Sequence, residues 1–277
     1  MTAVTRAALP GTSATARAFG RSMFTKTLFD NRVVFTVWAV ATGLLTMLYA
    51  SFYPQITAGG ASSLPKAMSG FGLDHMTSAA GYLQGAVFGL LVPLLVTFYG
   101  AATGARMTSA DEESGYLDLL LAHPIGRTRL LLHRFAALSA GALLIAAVVL
   151  GALLAVRSSA KLNSISVVGF VAQAVNVALL ALAFGALATA IGAGTGKGRA
   201  AVFGITAAAG VLAYAINGFA PQIGAGWLRH VTPFHYYIGG EPLKTGFQLG
   251  GPAVLGGVTL LLIGLGAWRF SRRDLGR

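Results

Sequence analysis

The sequence predicts an all-α, polytopic membrane protein with six transmembrane helices, and three observations predict it. Hydrophobic residues make up 55% of the 277 and charged residues only 10%, more apolar surface than one water-soluble core of this length can hide. Six uncharged runs recur along the chain, each close to the length of helix, about 17 to 25 residues, that crosses hydrocarbon about 30 Å thick. Within these runs polar residues do not return every third or fourth position, as a solvent-facing helix would require.

Residues 1–13 have turn and small polar composition and are expected to be disordered. Ala14 to Arg32 is expected to form an N-terminal interfacial helix on the inner leaflet, because Phe19 and Met23 share one face while Arg17 and Arg21 share another. Phe24 and Leu28 fall nearer the basic side, so the segment also suits a basic flank that only anchors orientation. The expected spans are Val33 to Tyr53, Tyr82 to Ala105, Phe135 to Val156, Val167 to Ile191, Ala200 to Ala220 and Pro252 to Trp268. The last is short and can begin nearer Gly246 without meeting a charge. The organisation is thus an N-terminal segment 1–32, a transmembrane domain 33–268 and a tail 269–277. The domain carries a charged insert at 109–134 and an external, re-entrant-like segment at 221–251. The N-terminus lacks the short apolar core and small-residue cleavage site of a removable signal peptide.

Charge sets the orientation. With the N-terminus inside, fifteen basic residues fall on the cytoplasmic side, among them Arg17, Arg21, Arg106, Arg127, Arg129, Lys197 and Arg272. Only Lys66, Arg157, Lys161, Arg229 and Lys244 fall outside. The positive-inside rule then places both termini and the 109–134 insert in the cytoplasm of a multi-pass inner-membrane protein. The net charge of +12 is spread over short loops, not gathered into a nucleic-acid-binding patch. With no cysteine, disulfides, thiolate metal sites and cysteine nucleophiles are excluded.

The insert reads SADEESGYLDLLLAHPIGRTRLLLHR. Ser109 with Glu112 has capping-box spacing, and Asp111, Glu112 and Glu113 suit the positive end of a helix dipole, so a helix is expected to start there. Tyr116, Leu117, Leu120 and Leu121 continue it as an apolar stripe at helical spacing. Pro124 and Gly126 end it, and Arg127, Arg129 and Arg134 return the chain to the leaflet. A folded loop packing under its own bundle has this composition too; the functional alternative is a docking element for a cytoplasmic partner.

Two other motifs carry no chemistry. Gly192 to Gly198, GAGTGKG, lacks the first glycine and the final Ser or Thr of a phosphate-binding loop, and is expected to be a short turn between spans four and five. The five histidines lack paired metal-ligand spacing, so no metal site is expected. Inside the spans, Gln173 and Asn176 lie three apart on one face of span four, and Gln84 and Asn217 lie near span ends. They suit either interhelical hydrogen bonds or a polar substrate path. Pro93 removes a helix hydrogen bond midway along span two and should kink or loosen it. The pairs among Gly81, Gly85 and Gly89, and Gly100 with Gly104, suit close helix packing, a dimer seam included. Pro221 to Gly251 is long and aromatic, and suits short helices dipping into the outer leaflet or an aromatic belt.

The acids, glycine, leucines, proline and arginines of the insert, Glu113, Gly115, Leu119 to Leu121, Pro124, Arg127 and Arg129, resemble the cytoplasmic loop of ATP-binding cassette exporter permeases of the ABC-2 class. The six-span layout is similar, as is TPFHYYIGGEPLKTG, Thr232 to Gly246. The resemblance implies a coupling helix between spans two and three that docks on a separately encoded ATPase through Glu112, Glu113, Gly115, Leu117, Leu120, Leu121, Pro124, Arg127 and Arg129. It implies a dimer of ATPase subunits, holding the ATP and Mg that this chain does not bind, and a second permease subunit. His133 departs from the basic residue common near that place, with Arg134 next to it. Gln173, Asn176 and Pro93 are the candidates for a substrate path, and Pro233, Phe234, Tyr236 and Tyr237 for an external gate. All eight acids and all five histidines lie outside the six expected spans, whereas ion-driven carriers hold an ionisable group within the membrane. The expected function is therefore a non-catalytic membrane subunit that exports a hydrophobic or amphipathic substrate by alternating access, with a non-transporting assembly or regulatory subunit as the alternative.

Overall fold

A computed structural model describes residues 12–58, 78–113 and 126–273. The described residues are helical apart from short turns and connections, with no strand among them, and six helical segments are long and apolar enough to cross a membrane: Met23–Thr57, Ala79–Ser109, Arg127–Val156, Val167–Thr195, Arg199–Ile223 and Gly250–Arg272. All six expected spans are present. Most run longer than their uncharged cores because helix needs no apolar side chains once it leaves hydrocarbon; the first, at 35 residues, is about 50 Å long.

Local chemistry fixes several ends. Ser78 and Ser166 accept from the amides of Gly81 and Gly169 at 3.1 and 3.0 Å, capping spans two and four. Span four ends at Gly196, whose φ of 64° is the left-handed conformation glycine adopts without strain. Gly198 follows as the extended N-cap of span five, so the turn expected of GAGTGKG is confined to its last three residues, Gly192 to Thr195 being the final turn of span four.

The N-terminal segment is helical but not separate: one helix runs unbroken through Thr12–Ser51, so the chain does not bend at Arg32 to lie apart from span one. The reason is local. Nothing between Asp30 and Val34 breaks a helix, and Asn31 and Thr27 bond back to carbonyls four residues earlier. Ser109 likewise does not open a helix. The helix Val92–Glu113 passes straight through it, so the amides a capping serine would serve already have carbonyls one turn back. The other end of the insert, Arg127 to Arg134, is the opening of span three. The stripe between, 114–125, lies outside the described residues.

Span four is the hub. Apart from Gln173 and Asn176 near one end, its alanines and glycines make it apolar on nearly every face, and it packs against spans two, three, five and six, while span one packs chiefly on span three. Its close seam with span two is built from glycine: a Cβ at Gly100 would stand 2.6 Å from the Ala181 carbonyl oxygen, and one at Gly104 would stand 2.7 Å from that of Gly185. These glycines therefore serve packing within the chain. Large apolar side chains such as Leu44, Leu212 and Leu260 stay more than 60% exposed, a surface suited to lipid and costly in water.

Candidate functional site

The end of the bundle opposite the insert is closed by four short pieces: the 3₁₀ turns Ala220–Ile223 and Gly226–Val231, and the helices Pro233–Ile238 and Pro242–Thr245. Pro233 sits in the first turn of its helix, where a missing N–H costs nothing. The helix wedges against spans two, four, five and six. Phe234 is buried, edge-on to Tyr214 at 5.4 Å and tilted against Phe184 at 5.6 Å. Tyr237 is buried beside it, whereas Tyr236 is half-buried and donates to the His230 carbonyl at 2.8 Å. Thr232 is tied to span five by its bond to the Asn217 side-chain oxygen at 3.2 Å.

The structure brings the two sets of predicted polar and aromatic residues together. Asn176 Nδ2 donates to the Tyr237 carbonyl at 3.0 Å, and Gln84 Nε2 to that of Ile238 at 3.4 Å, so spans four and two both hold the wedge. Gln173 is completely buried and faces the Tyr237 hydroxyl, yet neither amide atom nor that hydroxyl has an aligned hydrogen-bond partner. Gln84 Oε1 and Asn176 Oδ1 are also unpaired. Unsatisfied polar atoms this dense are costly in an apolar interior. Beside them a small space of about 30 Å³, lined by Asn176, Tyr236, Gly240 and Gln248, is large enough for a water molecule.

Pro93 stands nine residues beyond Gln84 on span two. It follows a π-helical stretch, Leu83–Leu91, a form seen often at functional sites. Proline has no N–H for the Gly89 carbonyl four residues back, and the Tyr214 hydroxyl of span five donates to that carbonyl at 2.7 Å. The proline therefore loosens the helix by changing its register, and a neighbouring helix satisfies the freed group.

At the insert end, Glu112 and Glu113 lie in the last turn of the Val92–Glu113 helix. Gly115, Leu117, Leu120, Leu121 and Pro124 lie outside the described residues. Arg127 Nη1 donates to the Arg273 carbonyl at 2.6 Å, and Arg129 Nε faces His133 Nε2 at 3.4 Å. Arg134 Nη1 reaches the Met107 carbonyl of span two at 2.6 Å, and Arg273 Nη1 the Ala193 and Gly192 carbonyls of span four at 3.1 and 3.3 Å. Sequence reading took these cations as orientation signals or docking contacts and missed that they bind the ends of neighbouring helices. For Arg273 the available signal was its place beside the C-terminus of span four, where carbonyls such as that of Ala193 run short of partners. No cluster of metal-ligating side chains occurs among the described residues.

A family model described as the multidrug efflux system permease Rv1217c, C-terminal domain, matches residues 27–271. A comparison with curated proteins finds no match.

Proposed function

Because the chain belongs to the family of the multidrug efflux system permease Rv1217c, C-terminal domain, a transport permease, we propose that it is the membrane subunit of an ATP-driven exporter of the ABC-2 class. The family match, spanning nearly all the membrane helices, carries this reading. The protein sits in the cytoplasmic membrane with both termini inside, pairs with a second permease subunit, and exports a hydrophobic or amphipathic substrate by alternating access. A dimer of separately encoded ATPase subunits, holding ATP and Mg, docks on the 109–134 segment.

An outside energy source is supported by the character of the spans. Among the described residues, Asp30 is the acid that falls within a candidate span, and it is exposed near the charged start of span one, between Lys26 and Arg32. Among the described residues no proton- or cation-binding carboxylate stands midway through the bundle, where an ion-coupled carrier needs one.

The geometry also supports a route for the motion. Arg127, at the base of the insert, holds the Arg273 backbone, and the Arg273 guanidinium holds the last turn of span four. The other end of the same 29-residue helix carries Gln173 and Asn176, the latter bonded to the closing wedge. A displacement of the docking segment is delivered along one stiff helix to the gate.

Affinity purification in mild detergent tests the reading. A protein with a phosphate-binding loop should accompany the wild-type chain and be lost when Leu117 and Leu120 are both changed to Glu. Substrate flux in liposomes containing this chain alone, or an intact complex that makes no difference to export, would overturn it.

A further inference from the structure

Span two is wound in two registers. Leu83–Leu91 is π-helical and Val92–Glu113 is α-helical, so the half that meets the closing wedge and the half that runs into the insert join beside Pro93. At the join the Val92 N–H bonds the Val87 carbonyl, five residues back, where an α-helix would give it to Phe88, four back. Pro93 brings no N–H to either register. In the π register this leaves the Phe88 carbonyl without a helix amide, and in the α register it would leave that of Gly89. The two windings forfeit the same number of helix bonds at the proline, which keeps them close in energy.

The balance is tipped from outside the helix. The Tyr214 hydroxyl of span five donates to the Gly89 carbonyl at 2.7 Å, and the same ring stands edge-on to Phe234 of the wedge. Gln84, near the start of the π stretch, reaches the Ile238 carbonyl at the end of the wedge over a stretched 3.4 Å, and its Oε1 has no partner. The π stretch is therefore held near both of its ends. An α-helix turns each residue by about 100°, more than the wider π winding does, so rewinding would carry Gln84 round the axis relative to Pro93 and off Ile238.

We propose that Leu83–Leu91 is a reversible register switch: rewinding from π to α releases the closing wedge, and Tyr214 is the positioning residue that holds the closed register. The twist reaches the stretch from the insert, because the α-helical half runs unbroken from Val92 to Glu113. That a released wedge lets cargo out rests on the exporter reading; the switch itself belongs to the bundle.

Distances between paired spin labels test this on the purified full-length chain in nanodiscs. Neither ATPase nor cargo is present, so failure of the switch is separate from failure of the exporter reading. The chain has no cysteine, and Val168→Cys with Val231→Cys puts labels on two exposed sites, at the wedge end of span four and just before the wedge. Tyr214→Phe should raise the ratio of the long-distance to the short-distance population roughly tenfold, about 1.4 kcal/mol, and Gln84→Leu should raise it as well. Deletion of Ala86 removes the one residue by which a five-residue bond spacing exceeds a four-residue one, and should hold the long distance even with Tyr214 in place. Tyr99→Phe removes a bond of the same kind, to the Leu138 carbonyl at 2.7 Å, and should lower Tm without moving the distance. Size-exclusion profiles identify folded variants, and Tyr214→Phe decides the matter if the deletion does not fold. An unchanged distance in the folded Tyr214→Phe or Ala86-deletion protein, or a shift in Tyr99→Phe as large as that in Tyr214→Phe, would overturn the switch.

Discussion

Tyr214 and Gln173 are both polar residues buried among apolar neighbours, and their opposite bonding predicts opposite responses to removal. The Tyr214 hydroxyl serves the Gly89 carbonyl that Pro93 cannot, so Tyr214→Phe strands a buried acceptor and should lower stability by about 1–3 kcal/mol, read as a fall in Tm in nanodiscs. Gln173 has the Tyr237 hydroxyl near its amide but no aligned bond to it. Gln173→Leu should therefore leave Tm unchanged or raise it, and export should fall if the amide lines the substrate route; a lower Tm would mean that a water or protein group satisfies the amide. The sequence made Pro93 and the two amides of span four visible because each is rare in an apolar run. It did not reveal Tyr214, since a tyrosine in a span reads as packing until the carbonyl it serves is known. Arg134 and Arg273 were hidden similarly: a basic residue beside a span satisfies the positive-inside rule whatever its guanidinium touches.

The contact between spans two and four is set by glycine against backbone. At Gly100 a methyl group would meet the Ala181 carbonyl oxygen and the Gly185 nitrogen at 2.6 and 2.7 Å, atoms that cannot move without shifting the helix. Gly100→Ala should destabilise the fold by about 1–3 kcal/mol through overpacking. At Gly151 of span three, which has open space, the same change should be neutral or slightly stabilising in the same unfolding assay. The closing segment has a different weakness. His235 lies tilted against His230, ring centroids 4.5 Å apart, and adjoins Arg229 and the Tyr236 ring; burial first, then His230 and Arg229, hold its pKa below the usual 6.5. The unfolded chain therefore takes up this proton before the folded one does. Stability should fall as pH drops below about 6.5 and level off once the folded His235 is also protonated. Trp227, on the same segment and 67% exposed, gives a fluorescence readout, and His235→Gln should flatten the profile. At the scale of elements the spans were legible because apolar run length is dictated by hydrocarbon thickness. The helix start at Ser109 was misread because a capping box has meaning only where no helix arrives from the preceding residues.

The whole molecule has two distinct ends, and its function depends on which faces the cytoplasm. At one end are residues 109–113, the Arg127 to Arg134 turns, the Gly196 turn and Arg273, tied together by arginine-to-carbonyl bonds. The other has the Arg157 to Ser166 connection and the aromatic wedge. In the topology read from the sequence, basic residues divide fifteen to five in favour of the insert's side, a bias that by the positive-inside rule would make that side cytoplasmic. The absence of cysteine makes the orientation directly measurable, because any introduced thiol is unique. Ser114→Cys places one in the insert and Ser159→Cys one in the connection between spans three and four, where Ser159 is exposed. In intact cells a membrane-impermeant maleimide should label the Ser159→Cys protein at once and the Ser114→Cys protein only after permeabilisation. The reverse pattern would put the leucine stripe at Leu117 and Leu120 out of reach of any ATP-hydrolysing partner. A cytoplasmic ATPase could then not drive the bundle through this segment, however complete the family likeness of the helices.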